Sequence, residues 1–423
     1  MDFIADNLVL LPIATPLVGA MAALLLGRFP RARAYWSLGV MLLSLVFSLL
    51  LLWRVTASGA AVVMQAGGWG FPYGISLVGD PLSALFAVMA QLVLALGLLY
   101  SLGSKDAVIT YRPFYPLFLL LGTGLTGAFL TGDLFNLFVF AELLVISGTA
   151  LTAASDDRFG TEAAYKYFYM SLLASTFMLL AIGSLYVSYG TLNLADLAAR
   201  IADKPDGILL APAVALLLAT FMIKSAVFPF HFWQPDFHAA APTAVSAMLS
   251  SVVVKVGVYG FLRILLPIFP NEMQIMLTPL LWLAVATIVF SAWAAMMQKD
   301  LKRIVAYSSI NHLGYCLLGV FAVASFTGSD PKWTTEKAAA LNGVIVQMFN
   351  HGITASALFY FVGLIEQRAG VGAHPGDVLH RGRLAQLLVV DRRLRRVARL
   401  VPCLLYPSPS PRDRTSSRMP SSP

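Results

Sequence analysis

Eleven apolar stretches follow one another along this chain of 423 residues, at approximately 8–28, 35–53, 81–102, 114–131, 134–154, 164–188, 208–230, 242–266, 276–297, 304–325 and 338–365. Each is close to the roughly 20 residues a helix needs to cross hydrocarbon. A backbone in lipid must satisfy its own N–H and C=O groups, so such runs fold as spanning helices. The expected fold is therefore all-α, a polytopic transmembrane helix bundle. Composition agrees: 58% of residues are hydrophobic and 12% charged, against roughly 25% charged in a soluble domain. No basic n-region precedes the first run and no small-residue cleavage site follows it, so it reads as a retained helix.

The loops are short and punctuated by Gly, Pro and Asp. The longest, 56–80, has the alternation and glycines of a small hairpin, and 191–206 reads as an amphipathic surface helix. The formal charge of +8 is concentrated at one end, because residues 370–423 hold ten arginines, no lysine and three aspartates. With that charge absent from any folded face, a nucleic-acid-binding reading loses its support. Cys316 and Cys403 are too few for a disulfide framework and lack metal-site spacing. With the N-terminus outside, the inner loops carry ten basic residues, among them Arg28, Arg31, Arg33, Lys105, Arg112, Lys166 and Arg303, against six in the outer loops. The positive-inside rule favours that orientation.

Five ionisable residues sit well inside these spans: Glu142 in the fifth, Lys224 in the seventh, Lys255 in the eighth, His312 in the tenth and His351 in the eleventh. Such residues are costly in lipid and commonly mark ion pathways. Each has a blander explanation. Lys224 could snorkel to the interface, although Phe228, Phe230, Phe232 and Trp233 keep its flank apolar. Glu142 and Lys255 could form a static buried pair, and either histidine could be a hydrogen-bonded packing residue. Taken together, they offer proton transfer: burial and a nearby carboxylate pull a lysine's proton affinity in opposite directions, and histidine titrates near neutrality. Pro229 should break the seventh helix just after Lys224, as in the interrupted helices of transporter ion sites. Glu142 and Lys224 are expected to face one another, with Lys255 further along the same layer.

Motifs for phosphate binding, haem attachment or a catalytic triad are missing from the sequence. His231, Asp236 and His238 offer only loosely spaced metal ligands. With Pro229 and Pro242 they read better as a gating loop into the eighth span. No metal and no cofactor is expected.

At "TGDLFNLFVFAELLVISG", "MIKSAVFPFHFWQPDFHAAAPTAVSAMLSSVVVKVGVYGFLRI" and "QKDLKRIVAYSSINHLGYCLLG" the chain resembles the proton-translocating membrane subunits shared by respiratory complex I and the multi-subunit cation/proton antiporters. The resemblance covers residues 1 to about 370 and is greatest to the D-type subunits of the Mrp/Pha-type Na⁺(K⁺)/H⁺ antiporters. It implies two inverted five-helix repeats with broken helices, in a bundle of about fourteen helices. It also implies an essential pair at Glu142 and Lys224, with Lys255, His312 and His351 continuing the proton path. The corresponding divisions are 1–112, a first repeat at 113–266, a partial second repeat at 267–372, and a tail at 373–423. "CLLYPSPSPRDR" in that tail looks non-native, so the chain is expected to be a truncated fragment whose eleventh helix leaves His351 uncovered. The implied role is a proton-translocating subunit of a multi-subunit Na⁺ or K⁺/proton antiporter in the plasma membrane, partnered by other antiporter subunits. The alternatives are a membrane-arm subunit of a complex I-like NADH:quinone oxidoreductase, or a scaffold whose buried charges only fix helix register.

Overall fold

The computed structural model describes residues 7–326 and 331–369; the tail at 373–423 lies outside them. Nine of the described helices are long and apolar enough to cross a membrane. Two shorter apolar helices, Phe114–Leu130 and Leu210–Lys224, bring the spans to eleven, the number read from the sequence. Met1–Gly363 forms one compact unit and Leu364–Pro423 a second, of which only 364–369 are described.

The chain starts with α1 (Leu11–Leu25) and α2 (Pro30–Ser58), then an antiparallel ribbon of β1 (Val62–Gln65) and β2 (Ser76–Gly79). The ribbon pairs Val62 with Gly79 and Gln65 with Ser76, the hairpin expected of the longest loop. Next come α3 (Pro81–Gly103), α4 (Phe114–Leu130), α5 (Leu134–Ala153) and α6 (Arg158–Tyr189). The surface helix α7 (Leu194–Asp203) buries Leu194, Leu197 and Ile201 along one face. It leads to α8 (Leu210–Lys224) and the short α9 (Trp233–Ala240). The span α10 covers Thr243–Ile268, followed by α11 (Pro270–Ile275), α12 (Leu277–Met297), α13 (Leu301–Ala324) and α14 (Pro331–Ala369).

Sequence hydropathy places several ends wrongly, for two reasons. The second and sixth spans run longer than 35–53 and 164–188, because their first turns carry Arg31, Arg33, Arg158 and Glu162, which an apolar window rejects but a headgroup region accepts. The seventh span runs shorter than 208–230, because α8 stops at Lys224.

Burial ranks the helices. The most apolar window of α10 is 83% buried and that of α3 72%, whereas that of α12 is 22% buried. α10 is thus the axis of the bundle, and α12 presents most of its surface outward. Close packing on α10 depends on Gly257: a Cβ there would lie 2.7 Å from Ser225 N and 2.8 Å from Phe221 O, the backbone of the last turn of α8. Backbone cannot rotate out of the way as a side chain can. α10 is also wound loosely, with π turns at Leu249–Val253 and Phe261–Leu265, a feature frequent at functional sites.

At one membrane face, Asp80 caps α3 through Ser83 N (2.8 Å), while Ser83 Oγ accepts from Asp80 N at 2.8 Å. The same carboxylate pairs with Arg263 of α10. Burial pushes the Asp80 carboxyl up, but the Arg263 charge and the bonds from Ser83 outweigh it and hold the group below its ordinary value of 3.8. A depressed carboxyl contributes stability above its unfolded value and loses it as the pH falls through the folded one.

Two outcomes follow. Asp80→Asn should lower thermal stability by about 2 kcal/mol at neutral pH by leaving Arg263 without its anion. That deficit should shrink below about pH 3.8, as thermal melts of wild type and variant across pH would read. Gly257→Ala should cost about 1–3 kcal/mol by forcing α8 and α10 apart, and a melt equal to wild type would contradict the packing described.

Candidate functional site

α8 ends at Lys224 itself, slightly earlier than the break expected at Pro229. Ala226 takes a left-handed φ of 50° and the Phe228–Pro229 peptide is cis. The interruption is pinned to α12: Phe228 N donates to Thr287 Oγ1 at 3.1 Å, and the Phe228 ring stacks on Phe290 at 4.8 Å. The chain then re-enters helix as α9, so the segment holding Asp236 and His238, expected to be a gating loop, is largely helical. Apolar Phe237 and Ala239 and the aromatic Trp233 bury α9 against α6 and α13, which a solvated loop would not do.

Glu142 lies just over two turns into α5. Its backbone neighbourhood is approached closely by α4, where a Cβ on Gly124 would sit 2.9 Å from Phe140 O and 3.1 Å from Leu144 N. Buried Ser175 of α6 donates its hydroxyl to Glu142 Oε1. α6 packs against both α5 and α8, and it supplies Ser175 beside Glu142 and Tyr167 and Ser171 beside Lys224. The Lys224 ammonium is within electrostatic reach of the Glu142 carboxylate, yet no direct ion pair joins them among the described residues. Beside Lys224 is a cavity lined by Leu144, Val145, Tyr167, Ser171, Trp233 and Val253, with ≈ 20 Å³ open to the centre of a water. That is room for about one water. The two charges thus act on one another without direct contact, and the cavity adjoins Lys224 and the α5 residues Ala141, Leu144 and Val145 that flank Glu142 in sequence.

Sequence reasoning missed this face. Tyr167, Ser171 and Ser175 repeat every four residues, the spacing of one helix face, and that periodicity was the available signal.

Lys255 sits at the centre of α10, fully buried. Its Nζ donates to Ser251 O in the π turn, where loosened winding frees carbonyls for other donors. Val253 and Val256, on either side of Lys255 in sequence, line the Lys224 cavity. On the far side of Lys255, the rings of His312 and His351 lie 5.0 Å apart. Gln347 Nε2 and His312 Nδ1 are 3.1 Å apart, and the Lys255 charge reaches both rings. His351 is 7% exposed. The expectation that α14 leaves it uncovered is therefore corrected: the His312 ring of α13 lies against it, and α3 approaches the next residue, where a Cβ on Gly352 would meet Met89. Cys316 also lies within reach of Lys255, and Ser250 and Ser309 hydroxyls meet at 2.8 Å between α10 and α13.

The remaining candidates separate. Asp236 turns to the membrane face, where it pairs with Lys166 of α6 and Arg303 of α13, each at 2.9 Å. His238 points inward, fully buried, with neither ring nitrogen bonded among the described residues. His231 contacts Phe228 and Tyr307. Pro242 starts α10, its carbonyl accepting from Ser246 N at 2.8 Å. Among the described residues no three His, Cys, Asp or Glu side chains gather to hold a metal ion.

Residues 131–387 match the family described as NADH:quinone oxidoreductase/Mrp antiporter, transmembrane. The chain is 31% identical over 366 residues to the D-type subunit of the Na(+)/H(+) antiporter of Alkalihalophilus pseudofirmus, covering 86% of this chain and 71% of that one. A chain of the Mrp complex from Dietzia sp. superposes with a TM-score of 0.77 at 29% identity, covering 86% of this chain and 65% of the other. A chain of respiratory complex I from Thermus thermophilus gives 0.78 at 27% identity, covering 94% and 78%. Through its sequence and its eleven-span architecture, this multi-pass membrane chain belongs to the NADH:quinone oxidoreductase/Mrp antiporter transmembrane family.

Proposed function

We propose that this chain is the proton-carrying subunit of a multi-subunit antiporter that exchanges Na⁺ or K⁺ for protons across the plasma membrane. The observation that supports the reading is the set Glu142, Lys224, Lys255, His312 and His351, carried by five helices, with Lys255 and His351 buried and the other three half-buried. Identity to D-type antiporter subunits favours the antiporter over a redox complex, and the similarity to a complex I chain keeps the membrane-arm role as the second reading. Both roles use the same proton path and require no cofactor in this chain, so we read it as a transporter subunit with no bond-making chemistry of its own. The excess of basic residues in one set of loops supports an N-terminus outside.

In this reading Ser175 holds the Glu142 carboxylate, and the gap beside Lys224 admits a water between the two charges. When the gap closes, the pair neutralises itself; when it opens, the Lys224 proton is released along the layer to Lys255. Lys224 can make this choice because it stands at the end of α8, beside an interruption that changes shape more cheaply than helix interior does. His312 and His351 continue the path with imidazole rings, each able to accept a proton on one nitrogen and donate one from the other. The Asp236 bridge to Lys166 and Arg303 ties α9 to its neighbours on both sides, so that movement at the interruption is felt by α6 and α13 together.

Lys224→Ala, and separately Glu142→Gln, should lower cation-driven proton flux in everted vesicles on the order of a hundredfold, as expected for loss of a proton-transfer group. The complex should still assemble by native gel. Wild-type flux in an assembled Lys224→Ala complex would contradict the reading and favour a scaffold.

A further inference from the structure

Arg33, in the first turn of α2, is a charged side chain only 2% exposed. It is held on two sides. Nη1 donates to the Arg112 carbonyl at 2.8 Å, and the guanidinium carbon lies 5.6 Å from the centre of the Tyr115 ring. Its Nε is buried and unbonded among the described residues. The charged neighbour acting on it is a second cation, Arg112. Neither arginine forms an ion pair with a described carboxylate. A buried guanidinium held on the backbone of a second arginine, with neither charge paired to a described carboxylate, is an incomplete arrangement.

Its surroundings indicate the anion. Arg28 and Arg31 are exposed in the turn before α2 and at its start, and Arg112 is exposed in the loop between α3 and α4. Phe29, Tyr35 and Trp36 are 64%, 65% and 43% exposed beside them, and Trp36 Nε1 donates to Gly19 O at 3.0 Å. Exposed aromatic rings beside basic residues at helix ends mark headgroup depth. Below them, Leu17, Met21, Leu24 and Leu25 of α1 form an exposed apolar strip. A cluster of basic side chains at headgroup level above an apolar strip has the two-part chemistry that suits a phospholipid.

We propose that Arg33 and Arg112 bind the phosphate of an anionic phospholipid headgroup, whose acyl chains run along α1. The planar fork of arginine matches phosphate oxygens two at a time, and basic pockets between spanning helices hold lipid headgroups by this means. Arg33 supplies the preorganised donor, fixed by Tyr115 and the Arg112 carbonyl. Arg112 closes over the headgroup from the loop, and Arg28 and Arg31 strengthen the field. Free phosphate offers the same oxygens without the acyl chains, which separates the two sources experimentally.

The test is native mass spectrometry of the affinity-tagged full chain with its co-purifying subunits, delipidated and then titrated with phosphatidylglycerol, phosphatidylcholine or inorganic phosphate. Wild type should retain phosphatidylglycerol in preference to phosphatidylcholine. Arg112→Gln should lower that retention about fivefold, and Arg33→Gln combined with it by about a further fivefold, the effect of one surface arginine each. Arg112 is exposed on a loop, so its variant reads binding even if Arg33→Gln impairs folding. Equal retention of phosphatidylglycerol by wild type and Arg112→Gln would overturn the proposal. So would inorganic phosphate competing at the concentration of the lipid, or crosslinking of Arg112 to a carboxylate of another subunit.

Discussion

A charge in hydrocarbon must be paired, hydrated or relieved of its proton, and that requirement organises this bundle. Glu142, Lys224 and Lys255 each lie on an inward face, and each is met by a different device. Glu142 receives a hydroxyl from Ser175, Lys224 has a cavity with room for about one water, and Lys255 donates to a carbonyl freed by a π turn. None of the three has a rigid ion pair among the described residues. A chain built only to fix helix register would be expected to lock its charges together; this one leaves them adjustable.

The surrounding scaffold holds tight where the charged layer is loose. Gly124 and Gly257 bring α4 onto α5 and α10 onto α8 at backbone distance, so the helices bearing Glu142, Lys224 and Lys255 are fixed in position while their side chains keep room. The interruption after Lys224 is restrained at both ends, by Thr287 and Phe290 on one side and by the Asp236 bridges on the other. Motion there is confined to a few residues, with the helices around it acting as walls.

Much of this was legible in the sequence. Hydrophobic runs found every described span, because the demand for intrahelical hydrogen bonding in lipid leaves little choice of structure. Glu142, Lys224, Lys255, His312 and His351 stood out because ionisable residues are rare in such runs. Tertiary relations were less legible. That α6 packs against both α5 and α8, and that Ser175 serves the acid, depends on which helices neighbour one another. The helical character of α9 was hidden because its polar Gln234, Asp236 and His238 resemble a loop, and their burial is decided by the α6 and α13 surfaces against them. The burial of His351 was misjudged for a similar reason, since no local pattern links α14 to the α13 ring of His312 or to α3, which approaches it at Gly352.

The central claim is that Glu142 and Lys224 work as one unit across the gap beside α6. A double-mutant cycle on antiport flux, using Glu142→Gln, Lys224→Met and their combination in assembled complexes, measures this directly. If the two form one unit, the double variant should lose no more flux than the more severe single variant, as groups acting together do. Losses that multiply, with the double variant as defective as the product of the singles, would show two independent sites and contradict the account.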